Sequence, residues 1–302
     1  MNSIQGKVKW VNIFKPTTAD LSWLRKELNL HRLILEELKG PSSRARVEVN
    51  KNYLYLIYYF PIYDPVERVS KRSEIDILVT KSEVVTVSYE KIEVFDELTK
   101  TLNKNSRALE DSLKLTHKII DSLLDFQQRQ MIHIREKLET VSVELFKEKE
   151  REREQVLLEQ ISYLKRDISQ YRLIIKPQKH ILESFFQVGC NFFNQANCSV
   201  YMNDLIGEHM KITDLLEDYR QAIEDFEDTN NQLINIKNSQ LVKTFTILAF
   251  LTFPMMLFAS LFSMNTRGTP IVNNPRAFWI VLGVMIIAMT GMFAYFKKKD
   301  WL

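Results

Sequence analysis

The chain has 302 residues, 45% of them apolar and 26% charged, with a formal net charge of +3. So small an excess gives no reason to expect nucleic acid as a partner, while the length suits one soluble domain plus a membrane hairpin. With 7 glycines and 8 prolines there are few places to turn, which predicts long uninterrupted helices.

In chain order, Lys7 to Phe14 has strand composition and is broken by Pro16, after which Thr17, Thr18 and Asp20 offer caps to a helix running through Leu28. A second short helix is expected over His31 to Lys39, ended by Gly40 and Pro41. Three strand candidates dense in Val, Ile and Tyr follow: Arg44 to Tyr59, interrupted near Asn50 to Asn52, then Glu74 to Thr80 and Glu83 to Tyr89. Together they read as a small α/β unit.

From Ile92 the period changes. Pro177 is the only proline between Pro65 and Pro254, and Leu109, Leu113, Ile120 and Leu124 recur at helical spacing. The alternating charges from Lys147 to Glu154 read as a solvated helix face laced by pairs four apart. Cys190 and Cys198, with no matching His pair, read as reduced packing thiols rather than a zinc site. Ile212, Leu216, Tyr219, Ile223, Phe226 and Leu233 form a stripe with no breaker after Gly207, so one helix is expected to continue into the apolar run beyond. Its middle is acidic, from Asp214 to Asp228, which fits a solvated face or a surface that attracts cations.

Thr244 to Phe262 and Ala277 to Phe296 are free of charge, and each is long enough as a helix to reach roughly 30 Å. The short link rich in Asn, Pro, Thr and Gly makes them antiparallel neighbours in a bilayer. Lys237 and Lys243 before the first run, and Lys297, Lys298 and Lys299 after the second, place both termini in the cytoplasm. The absence of a signal peptide agrees with that orientation. On the first span Val242, Phe245, Thr246, Ala249, Phe253, Met256 and Ser260 share a face leading to Asn265. It reads either as ordinary packing sequence or as an apolar pore wall, which Phe245 and Phe253 would close by dewetting where copies meet. Pro254 lies mid-span, where neighbouring helices can accommodate it.

These readings give an α+β cytoplasmic domain (1–91), long cytoplasmic helices including a stalk (92–240), a first transmembrane helix (241–262), pore-lining on the second of the two readings above, and an extracytoplasmic loop (263–276). A second transmembrane helix (277–296) and a basic cytoplasmic tail (297–302) complete the chain. An enzyme is not expected, since His31, His117, His133, His180 and His209 fall in no metalloprotease spacing and neither a phosphate-cradling glycine loop nor a nucleophile elbow is present.

The run Lys243 to Pro254, then Ala259 to Asn265, then the close Tyr295 to Leu302 resembles the CorA family of divalent-cation transporters. That family's pattern is a Lys- and Thr-rich entry, a mid-span Pro, a Gly-Met-Asn signature and a Lys-rich tail ending in Trp-Leu. Leu30 to Leu38 is similar to the family as well. The resemblance implies a funnel-shaped homopentamer in the plasma membrane that carries Mg²⁺, or Co²⁺ or Ni²⁺, through an axial pore gated by intracellular divalent ions. It implies a selectivity ring of Ser263, Met264 and Asn265, and a regulatory Mg²⁺ held at Asp204 between subunits, with no organic cofactor. Ser263 stands where the pattern has Gly, which would cost roughly 1 kcal/mol or more if that backbone needed a positive φ. Arg267 and Arg276 replace the acidic loop residues many members carry and should lower cation concentration at the mouth. Two other readings stand beside this one: a ZntB-type zinc transporter on the same fold, and a membrane-anchored helical scaffold that does not conduct.

Overall fold

The computed structural model describes residues 1–147, 151–195, 197–264 and 275–299, and their side chains except those of 151–153 and 277. The chain divides into two compact units, Met1–Glu227 and Asp228–Leu302.

The first unit is built on a six-stranded sheet of β1 (Asn2–Ile4), β2 (Lys9–Phe14), β3 (Arg46–Val49), β4 (Leu54–Asp64), β5 (Val69–Val79) and β6 (Glu83–Ser88), in the order β1-β2-β6-β5-β4-β3. β2 and β6 run parallel, and the other neighbours are antiparallel. Residues 53–60 are buried one after another, because helices cover both faces of the sheet and neither side of the pleat meets water. Tyr53, Tyr55, Ile57 and Tyr59 join a core with Leu24, Leu28 and Ile34 of α1 (Thr18–Leu28) and α2 (Arg32–Glu37). On the other face Phe60 meets Phe126 at 5.7 Å between ring centroids.

Thr17 caps α1 as its sequence suggests: its side chain accepts from the Asp20 backbone N–H while the Asp20 carboxylate accepts from the Thr17 N–H, a reciprocal capping box. β4 runs past Tyr59 through Pro61, further than strand composition indicates. Pro61 pairs with Arg72 of β5, but β3 ends opposite Ile57, so no partner on that side misses the proline N–H. Likewise β5 starts at Val69, because hairpin pairing carries the polar stretch Ser70 to Ser73 into the sheet.

α3 (Glu93–Lys104), α4 (Ser112–Leu145), α5 (Arg151–Ile175) and α6 (Gln178–Phe193) follow. Leu113, Ile120 and Leu124 are buried on α4, and Leu109 is buried in a 3-10 turn just before it. Of the run 147–154, residues 148–150 lie outside the described residues, and α5 opens at Arg151. Cys190 and Cys198 are not free thiols: they form a disulfide across the turn from α6 to α7 (Cys198–Ser263). Asn194, left-handed at φ 49°, ends α6 and reverses the chain, so residues distant along one helix become neighbours across the turn. The acidic middle of α7 is partly tied to α5, with Glu217 accepting from Arg172 at 2.8 Å and Glu227 paired to Lys165.

Candidate ion pathway

α7 (Cys198–Ser263) continues without interruption through the acidic stretch into the first apolar run, with Pro254 inside it, and α8 (Ala277–Lys298) holds the second. Both are long and apolar enough to cross a membrane. Their hydroxyls serve their own helices: Thr246 donates to the Val242 carbonyl at 2.8 Å, Thr252 to Leu248 at 2.9 Å and Thr290 to Ile286 at 2.8 Å. The helix sides therefore present carbon, as hydrocarbon surroundings require.

The two helices form a hairpin with Phe250 against Phe296 at 6.3 Å between centroids. Ile247 is buried, and Leu251, Pro254, Met255 and Phe262 are half-buried on the same side of α7. At about 100° per residue, Val242, Phe245, Ala249, Phe253, Met256 and Ser260 fall on the opposite side. Val242 is 64% exposed, Phe245 67%, Phe253 66% and Met256 66%, while Ala249 on this face and Thr246 toward its flank are half-buried. α8 thus covers the other side of α7 and leaves this face open.

Ser263 is the last residue of α7 and has no positive φ, so a serine there costs nothing that glycine would relieve. The backbone N–H of Met264 donates to the Leu261 carbonyl at 3.4 Å. Asn265 and Arg267 lie outside the described residues. Arg276 is exposed at the start of α8, and Lys297, Lys298 and Lys299 are exposed at its end, where cations complement the helix dipole.

Asp204, on the part of α7 that belongs to the first unit, has a half-exposed side chain whose Oδ2 lies 2.9 Å from His117 Nε2 of α4. His117 also stands edge-on to Tyr201 at 5.0 Å. One turn on, Glu208 accepts from Gln128 Nε2 at 2.5 Å and pairs with Lys211. A carboxylate with hard oxygen donors at an accessible position suits Mg²⁺. Among the described residues no group of three or more His, Cys, Asp or Glu side chains could hold a metal ion. The His117 partner, 87 residues away in sequence, could not be anticipated from spacing.

A soluble α/β unit and a long helix entering an apolar hairpin, with hydroxyls turned inward and one apolar helix face uncovered, have the form of a membrane protein. The model of the family described as "CorA-like Mg2+ transporter protein" matches residues 5–298. The chain belongs to that family, and is accordingly a divalent-cation transporter rather than an enzyme. It is 24% identical over 297 residues to the cobalt/magnesium transport protein CorA of Thermotoga maritima, covering 97% of this chain and 83% of that one. The fold is similar to that of the CorA magnesium transporter from Methanocaldococcus jannaschii, with a TM-score of 0.86 at 18% identity, covering 100% of this chain and 95% of the other. It is also similar to the ZntB cytoplasmic domain from Vibrio parahaemolyticus, with a TM-score of 0.59 at 14% identity over 76% of this chain and 89% of that one.

Proposed function

We propose that this chain carries Mg²⁺ across the plasma membrane through a pore on the axis of a homopentamer, both termini being cytoplasmic. The observation that carries the reading is the open face of α7: α8 takes the opposite side, so five hairpins can bring Val242, Phe245, Ala249, Phe253 and Met256 together while α8 stays outside. Such a wall is apolar except at its ends, so it binds no ion along its length and empties of water when it narrows at Phe245 and Phe253.

Ser263, Met264 and Asn265 form the outer ring in this reading. Mg²⁺ gives up its water reluctantly, and amide and carbonyl oxygens can hold the hydrated ion without stripping it. Five copies of Asp204, each facing a neighbouring subunit, supply the cytoplasmic regulatory site, where bound Mg²⁺ offsets the repulsion of clustered carboxylates and holds the pore shut. Zinc as the cargo finds less support, the relatives similar in sequence along the whole chain being named as magnesium or cobalt/magnesium transport proteins.

Proteoliposome uptake tests this. Natural protein is expected to take up Mg²⁺, and Asn265→Ala to lose at least tenfold in rate while the oligomer stays intact by native mass. Unchanged uptake by Asn265→Ala would remove the ring from the pathway.

A further inference from the structure

Between α4, α5 and the turn joining β4 to β5 lies a cleft that ion passage does not use. Two adjoining cavities of about 260 and about 420 Å³ share Tyr63, Lys137, Thr140 and Asp167 as walls. Asp167 is 3% exposed; its Oδ1 accepts the Ser70 backbone N–H at 2.7 Å, and Oδ2 has no protein donor among the described residues. A carboxylate so buried with one oxygen unused favours a donor brought by a ligand.

Cations stand around it. The Arg68 guanidinium lies 5.2 Å from the centre of the Tyr163 ring, and the Lys137 ammonium 4.6 Å from that of Tyr63. Arg166 also covers Tyr163, at 5.6 Å, and donates to the Glu67 carbonyl, which fastens the β4 to β5 turn onto α5. Among the described residues neither Arg68 nor Lys137 has a carboxylate within ion-pair distance, and Glu136 at the rim is turned to His133 at 3.2 Å.

The occupant must therefore offer an N–H donor to Asp167, a flat body to the tyrosine walls and negative charge to Arg68 and Lys137. Inorganic anions meet only the last demand, and a metal ion would find Asp167 set among cations, with the other carboxylate of the lining, Glu136, turned to His133. We propose that this cleft binds a nucleoside phosphate, the base donating to Asp167 between Tyr63 and Tyr163 and the phosphates lying on Arg68 and Lys137.

The test is calorimetric titration of the full-length protein in nanodiscs, at fixed free Mg²⁺, with ATP, GTP, adenosine and inorganic triphosphate. At least one nucleotide is expected to bind saturably and at least tenfold more tightly than triphosphate or adenosine. Arg68→Ala and Lys137→Ala, both at exposed positions, should each weaken nucleotide binding by about tenfold. Asp167→Asn keeps an acceptor for Ser70 and should weaken the nucleotide while leaving triphosphate unchanged. If that variant does not fold, the two cation variants decide. The proposal is overturned if neither nucleotide binds saturably, if triphosphate binds as tightly as the nucleotides, or if the cation variants bind as the natural protein does. Since binding is read rather than flux, the outcome is independent of the pore reading.

Discussion

The two units of the chain solve burial in different ways. In Met1–Glu227 the apolar residues of the strands are enclosed by the chain's own helices, so Leu54, Tyr55, Leu56, Ile57 and Tyr58 are all at 0% exposure. In Asp228–Leu302 the most apolar residues are among the most exposed, with Trp279 at 69%, Phe278 at 70% and Ile287 at 74%. An apolar surface of that extent is not left to water. The first unit carries its solvent boundary in its own sequence, while the second leaves its apolar surface to be covered from outside the chain.

The largest effect that separates the two regimes comes from removing one aromatic side chain in each. Trp10 is 2% exposed, stands edge-on to Phe95 at 6.0 Å and donates its Nε1–H to Thr86 Oγ1 at 3.1 Å. Trp10→Ala is expected to cost about 3–5 kcal/mol of unfolding free energy, measured by denaturant melts followed by circular dichroism. Phe253→Ala should leave the same melt within about 0.5 kcal/mol and instead raise basal ion leak, because a smaller side chain widens an apolar constriction. Equal melting losses in both variants would mean that Phe253 packs as a core residue does.

How much of this was legible beforehand follows the same division. Strand composition and the Thr17 to Asp20 capping pattern act through neighbours in sequence, and both reappear at their positions in the fold. The charge-free runs 244–262 and 277–296 were equally plain, since bilayer thickness sets helix length directly. What sequence could not supply depends on pairing across distance. The strand through Pro61 needs the short β3 beside it, the Cys190 to Cys198 bond needs the turn at Asn194, and the Asp204 to His117 contact needs α4 beside α7. The cleft around Asp167 was invisible for the same reason, its walls coming from a hairpin and two helices.

Asp204, paired within the first unit to His117, sharpens the comparison from that side. If its carboxylate serves a metal shared with another subunit, Asp204→Ala should move the Mg²⁺ concentration that gives half-maximal protease protection upward by about tenfold, equivalent to about 1.4 kcal/mol. The soluble core should melt as before, because the side chain is half-exposed. An unchanged protection midpoint would retire the site.

The smallest effect concerns two buried titrating groups of the first unit that work against each other. Asp76 accepts from the Tyr55 and Tyr89 hydroxyls at 2.8 Å each, yet burial, helped by the nearby Glu74 charge, pushes it up from 3.8 to about 7. Between those values the folded chain keeps a proton that the unfolded chain has released, so stability falls as pH rises. His209 is fully buried with neither ring nitrogen partnered, and burial, with Lys179 adding to it, lowers it from 6.5 to about 4. There the unfolded chain takes up a proton that the folded chain refuses, so stability rises with pH. Each slope is at most about 1.4 kcal/mol per pH unit, and they cancel from about pH 4 to 6.5. These two contributions therefore offset one another in the natural protein across that window. Relative to it, Asp76→Asn should tilt the profile of urea midpoint against pH upward and His209→Leu should tilt it downward. Melts of the three proteins at pH 4.5, 5.5 and 6.5 would separate them, and profiles parallel to the natural one in both variants would show that neither group titrates with folding.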